Sequence, residues 1–399
     1  MAALVCYQMV QPSFSYYLCI MIALVNGKFY GAANGNGDGK ENLALIIEGR
    51  RIVGLCSVDK VDKRIPQVDL EGCIVAPGFI DLLANGAGGG AFGVTAQYTD
   101  LLLMGKTMME EGTTGFLAAA PSNILAMYLQ MQQVLTNHAD QLPCNFLGMH
   151  LEGPYLSKEF RGAHPEDCVR NCTDDELHKL LDRENSFVRL MTVAPERINT
   201  AQLSYLQNRQ VKVSFGHSAA DYYTALCFFD ETGCSVTHIY NGMPPIHHRK
   251  PGHIPAIFYA KPMTGIIVDG EHVAYPMVRL AYDIMPDSLY LFTDRFTECS
   301  AMGVSCDPDH GYFVRTTPDG GKVMCGSGLT MLQAVRNSVE HVGISLSEAL
   351  RMASLEPAKV LGIDNKVGLL KENYLANLVV FDEDWTVNKV MFEGKWISL

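Results

Sequence analysis

Eight apolar, β-rich runs recur along this chain with helix-patterned stretches between them, and no other feature constrains its fold as strongly. They are Cys73–Asp81, Thr113–Ala119, Phe146–Glu152, Val188–Val193, Val211–His217, Ser235–His238, Thr264–Asp269 and Ser288–Asp294. Their apolarity is continuous, the pattern of a parallel strand covered on both faces; a strand with one wet face alternates instead. Helical periodicity fits Gln97–Glu111, Asn123–His138, Asp174–Asp182 and Ala219–Asp230. Parallel strands need helical crossovers, and eight βα units in this length close into a (β/α)8 barrel of the TIM type, an α/β fold. A chain of 399 residues holds such a barrel with room for a smaller domain.

The flanks read differently. Ile22–Tyr30, Leu43–Glu48 and Arg51–Ser57 are short strands separated by Gly/Asn turns. After helical Leu329–His341 and Leu346–Ala353, strands return at Leu378–Asp382 and Lys389–Phe392, followed by Gly394-Lys395-Trp396. Two separate sets of short strands leave exposed edges, and pairing them with each other removes most of that liability. The expected organisation is an N-terminal extension at 1–20, the first part of a small β-sandwich at 21–76, the barrel at 77–359, and the second part of the sandwich at 360–399.

No charged side chain precedes Lys28, and Tyr16–Val25 is apolar. A signal peptide carries basic residues ahead of its apolar run and small residues at a cleavage site; neither is present. The run is also too short to span a bilayer. It reads as a buried strand entered from an extension, which makes Met21 a candidate functional start. The net charge of −12 argues against nucleic acid or an anionic membrane as partner. None of the 12 cysteines forms a Cys-x-x-Cys pair, so they read as reduced thiols in a cytoplasmic protein. The sequon Asn171-Cys172-Thr173 is discounted for the same reason. Gly105-Lys106-Thr107 lacks the earlier glycine of a phosphate loop and falls inside a helical pattern. Gly86–Gly90 reads as a tight first βα loop beside a pocket.

Polar groups sit where the apolar runs end: Glu152 on the third, His217 on the fifth, His238 on the sixth and Asp294 on the eighth. Barrel enzymes place their chemistry at the C-terminal ends of strands, so the four are expected at one mouth. Two imidazoles and a carboxylate with an open position form a catalytic zinc arrangement, which activates water and polarises a carbonyl. A further carboxylate then carries the proton. His247-His248-Arg249-Lys250, after the sixth run, is the densest basic cluster of an acidic chain, and Arg249 has the fork to hold a phosphate.

Met149-His-Leu-Glu-Gly-Pro154, Arg161-Gly-Ala-His-Pro165, Gly216-His-Ser218, Thr237-His238 with Asn241-Gly-Met-Pro244, Val268-Asp-Gly-Glu-His272 and Gly326-Ser-Gly-Leu-Thr-Met331 resemble the N-acetylglucosamine-6-phosphate deacetylases, from about Ile22 to the C-terminus. The resemblance implies Glu152, His217 and His238 as ligands of one divalent metal ion, most commonly zinc. It implies Asp294 as the catalytic acid/base and His164 as the group polarising the acetyl carbonyl. Asn241, Gly242, Arg249 and His272 would contact the sugar phosphate, with Ala163, Met324, Cys325 and Gly326 lining the pocket. The reaction implied is hydrolysis of the acetamide of N-acetyl-D-glucosamine 6-phosphate, giving D-glucosamine 6-phosphate and acetate, in a cytoplasmic homodimer with Arg249 reaching across the interface.

Many barrel amidohydrolases end their first strand in His-x-His; here Leu83 and Asn85 hold those places, so one metal is expected rather than two. Arg295 is expected beside the Asp294 carboxylate, making it a poorer base. The segment Phe296–Gly320 departs from the family pattern. Two other readings remain: a cyclic-amide hydrolase of the dihydroorotase kind, and a barrel relative retained as a scaffold.

Overall fold

The computed structural model describes residues 21–32, 38–183, 186–317 and 320–398; the expected extension at 1–20 lies outside the described residues. Its centre is a barrel of strands β1 (Phe79–Ala84), β2 (Thr113–Pro121), β3 (Phe146–Glu152), β4 (Val188–Val193), β5 (Lys212–Phe215), β6 (Ser235–Val236), β7 (Thr264–Ile266) and β8 (Leu289–Leu291). They are hydrogen-bonded in chain order, each pair parallel. Every residue of β1 and β2 is buried, which is why the runs carry no alternation: each strand packs inward on the barrel axis and outward on helices.

The seam between β8 and β1 is closed by the residues that follow β8. Ala84 bridges Arg295, and the Asn85 and Gly86 N–H groups donate to the Arg295 carbonyl at 2.8 and 3.1 Å. Beneath, the buried Asp81 carboxylate accepts from Thr293 Oγ1 at 2.6 Å and Thr293 N at 3.3 Å. The stretch that carries Asp294 is therefore also the closure of the barrel.

Several expected elements differ in outline. The run Cys73–Asp81 is two strands, Ile74–Pro77 and Phe79–Ala84, divided at Gly78. A Cβ on Gly78 would lie 2.2 Å from Thr114 Oγ1, so glycine lets the chain pass from one sheet into the barrel. The ladders of β5 to β8 stop short of the polar residues that end the apolar runs. His217, His238 and Asp294 instead occupy loop positions with φ of 48°, 26° and 47°. The helix expected at Leu346–Ala353 runs to Leu361. Helices at Thr200–Asn208, Ile254–Ala260 and Tyr275–Ile284 add to those expected from periodicity.

The flanking strands form two sheets. One orders Arg51–Ser57, Leu43–Glu48, Met21–Val25 and Gln67–Asp69; the other orders Lys28–Phe29, Ile74–Pro77, Leu378–Phe381, Val387–Phe392 and Lys395–Ile397. Chain ends meet where Leu378–Phe381 pairs antiparallel with Ile74–Pro77. Leu24, Leu45 and Ile52 of the first sheet share one apolar core with Val75, Val380 and Met391 of the second, a sandwich. The segment after Asp294 folds into an antiparallel sheet of Val304–Cys306, Phe313–Thr316 and Lys322–Gly326 beside the barrel mouth. No helix among the described residues is long and apolar enough to cross a membrane.

Candidate metal centre

Glu152, His164, His217 and His238 converge at the C-terminal mouth of the barrel, all buried. Glu152 Oε1 lies 2.8 Å from His238 Nε2 and 3.2 Å from His217 Nε2, and Oε2 lies 3.6 Å from His164 Nε2. By distance alone, Glu152, His164 and His217 form the tightest metal-capable group, with ligand atoms within 4.8 Å of one another. Hydrogen bonding separates the imidazoles further. His217 Nδ1 is 2.8 Å from the Phe160 carbonyl. A carbonyl only accepts, so Nδ1 carries the hydrogen and Nε2 of the neutral ring turns a lone pair toward Glu152. Two electron-rich atoms at 3.2 Å require a cation between them, either a proton or a metal.

His164 has the opposite tautomer. The Ser122 N–H donates to its Nδ1 at 3.0 Å, so Nε2 of the neutral ring carries the hydrogen. Burial holds the ring neutral, pushing its pKa down to about 3. It therefore offers the cavity a donor rather than a ligand. His238 Nδ1 has no partner among the described residues, so no contact fixes the tautomer of this ring; its Nε2, 2.8 Å from Glu152 Oε1, can share a cation with that carboxylate. Although burial pushes upward, the positive charge shared at the His217 and His238 contacts holds the Glu152 carboxyl well below its ordinary value. The donor set fits a divalent metal: two imidazole nitrogens and an ionised carboxylate.

Asp294 faces this group with the reverse electrostatics. Burial, with Glu152 and Asp81 nearby, raises its carboxyl well above the usual range, as a proton carrier needs. Asn85 Nδ2 donates to Asp294 Oδ1 at 2.7 Å. Arg295 does not perform the role expected of it: its guanidinium pairs with Glu111 at the end of the helix Tyr98–Glu110. The left-handed φ at His217, His238 and Asp294 marks strained backbone at the three loop positions that carry this chemistry.

A cavity of about 170 Å³ opens on the group, and its wall includes Glu152, Ala163, His164, His217, His238, Asn241, Gly242, His272, Asp294, Met324 and Cys325. Gly242 gives the His217 ring its room; a Cβ there would lie 2.5 Å from Nδ1. His272 Nδ1 is held by Asp269 Oδ2 at 2.5 Å, which orients the ring at the cavity wall. Two expected pocket residues are not on that wall. Gly326 packs behind it, with space for a Cβ only 2.8 Å from the Asp294 carbonyl, so it shapes the Asp294 backbone. Arg249 is exposed on the loop after β6 and does not line the cavity of its own chain.

Two residues of the site had no role from sequence reasoning. Asn85 was read only as a missing ligand. His150, inside the His-Leu-Glu motif, lies under the centre with Nδ1 donating to the Leu82 carbonyl at 2.8 Å and Nε2 accepting from Thr192 Oγ1 at 2.7 Å. Burial lowers its pKa to about 4, so it is a neutral strut. The signal for it was present, since it follows the strand alternation two residues before Glu152.

The amidohydrolase family model matches residues 74–397. The chain is 33% identical over 372 residues to an N-acetylglucosamine-6-phosphate deacetylase of Haemophilus influenzae, covering 90% of this chain and 96% of that protein. It is 30% identical over 363 residues to an N-acetylgalactosamine-6-phosphate deacetylase of Escherichia coli O157:H7, covering 86% and 92%. A crystal structure of N-acetylglucosamine-6-phosphate deacetylase from Pasteurella multocida superposes with a TM-score of 0.85 at 30% identity, over 95% of this chain and all of that one.

Proposed function

This chain belongs to the amidohydrolase family, among its N-acetylglucosamine-6-phosphate deacetylases, and we propose on that premise that it hydrolyses the acetamide of N-acetyl-D-glucosamine 6-phosphate. The observation that carries the proposal is the convergence of two imidazole nitrogens on Glu152, with the Asp294 carboxyl group facing them across one cavity. Glu152, His217 and His238 would hold the metal, and His164, whose tautomer presents a hydrogen, would not. A divalent ion there, zinc by the preference of the donor set, supplies Lewis acidity that lowers the pKa of water and polarises the amide carbonyl. One ion is proposed, because Leu83 is buried and apolar and the Asn85 amide is engaged with Asp294.

The chain's own residues then perform acid–base work. Asp294 takes a proton from water as its oxygen bonds to the acetyl carbon. His164 donates Nε2–H to the carbonyl oxygen as that oxygen gains charge. Asp294 returns the proton to the sugar nitrogen as the C–N bond breaks, which restores its own carboxylate; the amine leaves with acetic acid, whose remaining proton passes to the amine to give acetate and the ammonium form. His272, Asn241 and Gly242 form the end of the cavity assigned to the sugar phosphate. Arg249, which does not line its own chain's cavity, would complete the phosphate site across a homodimer interface. The cysteines among the described residues are all free thiols, which supports a cytoplasmic location.

Acetate release measured on N-acetylglucosamine 6-phosphate, its galactosamine epimer and unphosphorylated N-acetylglucosamine tests the reading. Turnover of the first should exceed both others. No acetate from any of the three with zinc-loaded protein would overturn the activity, and preference for the epimer would reassign the sugar.

A further inference from the structure

Asn85 follows β1 directly and is 3% exposed on the cavity wall. Its backbone is fixed, because the Asn85 N–H donates to the Arg295 carbonyl at 2.8 Å across the barrel seam. Its side chain divides into two ends with different circumstances. Nδ2 donates to Asp294 Oδ1 at 2.7 Å. Oδ1, buried, has no partner among the described residues.

Each end has a consequence. The Asp294 side chain is partly buried, with Glu152 and Asp81 nearby, and touches no cation, since Arg295 is spent on Glu111. Among the described residues, Asn85 is the one donor to its side chain. A carboxylate drawn partly out of water keeps its charge where a donor replaces the lost hydration, so the Asn85 amide is what holds Asp294 ready to accept a proton. The same bond reserves Oδ1 of Asp294, leaving Oδ2 to carry the proton. An amide's two heteroatoms share one carbon, so with Nδ2 pinned at Asp294 the orphan Oδ1 of Asn85 lies beside that carboxylate. An acceptor in that position needs a donor from the cavity.

We propose that Asn85 is a positioning residue for the hydrolysis: Nδ2 orients the Asp294 carboxylate, and Oδ1 accepts a hydrogen bond from the water that adds to the acetyl carbon. Of the two hydrogens of that water, one is aimed at Asp294 Oδ2 and transferred, while the other rests on Asn85 Oδ1, which fixes the direction of the attacking lone pair. This rests on the assignment of Asp294 as the proton carrier. In this role Asn85 acts through Asp294 and the water rather than through the sugar or its phosphate, so its contribution falls on kcat.

The test is a double-mutant cycle on the zinc-loaded enzyme with Asn85→Ala, Asp294→Asn and the pair, reading kcat, KM and metal content. Asn85→Ala should lower kcat by roughly 10- to 100-fold, the scale of one hydrogen bond to a charged group, with KM within about threefold and zinc content unchanged. In the Asp294→Asn background the same substitution should cost little more, because the group it orients is gone. If Asn85→Ala does not fold, the isosteric Asn85→Asp gives the same reading through a larger kcat loss, since it replaces the donor by a second carboxylate. Wild-type kcat in the variant, a loss confined to KM, loss of zinc, or full additivity with Asp294→Asn would each overturn the proposal. An active Asp294→Asn single variant would overturn the underlying assignment instead, so the two failures are distinguishable.

Discussion

Gly265, in the middle of β7, supports the metal centre from beneath, and adding one methyl there has a calculable cost. An alanine Cβ would lie 1.6 Å from Phe292 Cε1, 2.4 Å from Cδ1 and 2.7 Å from Cζ. Carbon atoms rest at about 3.5–4.0 Å, so the ring would have to move by roughly 2 Å. It has nowhere to go: Phe292 is 1% exposed, packs on Tyr290 with centroids 5.5 Å apart, and lies 6.5 Å from the His238 ring. Overpacking of this kind costs about 1–3 kcal/mol. On the ~2–4 °C per kcal/mol scale of large domains, Gly265→Ala should lower Tm by roughly 2–12 °C. Metal affinity should also weaken, because the ring that must move neighbours that of His238, with centroids 6.5 Å apart. Differential scanning fluorimetry and a zinc titration with a competing chelator read both effects. Phe292→Leu in the Gly265→Ala background should recover part of the loss, giving a non-additive cycle. An unchanged Tm in Gly265→Ala, or strictly additive costs in the double variant, would refute the steric argument.

Arg249→Ala should weaken use of the phosphorylated sugar by roughly 1.5–3 kcal/mol, the range for a hydrogen bond to a charged group, with little effect on the unphosphorylated one; equal losses on both substrates would make Arg249 structural. Purified protein should hold about one divalent ion per subunit by elemental analysis, and two tightly held ions would show ligands beyond Glu152, His217 and His238. Asp294→Asn should lower kcat at least ~10²-fold while zinc content stays near wild type. Lost metal with rescue by excess zinc would instead make Asp294 chiefly a ligand.

The barrel was legible because its signal is local. Continuous burial along β2 favours a run without polar alternation, and Gly115–Ala120 supplies it residue by residue. The placement of Glu152, His217, His238 and Asp294 after apolar runs is likewise a short-range pattern, and the tertiary structure brings all four to one cavity. What the chain could not disclose by itself is which atom meets which. Asn85 and Asp294 are 209 positions apart, and their hydrogen bond exists only because closing the barrel lays the segment after β8 against the end of β1. Read along the chain, Asn85 is a lost ligand and Arg295 a neighbour of Asp294; in the fold, the amide serves Asp294 and the guanidinium serves Glu111. The roles of His164 and His217 divide in the same way. The two imidazoles are chemically identical, and only their partners, an N–H from Ser122 for one and the Phe160 carbonyl for the other, decide which presents a hydrogen and which a lone pair. Local periodicity specifies strands and the residue types at their ends. Hydrogen-bond direction is a property of atoms brought within 3 Å by closure, and it is decided only there.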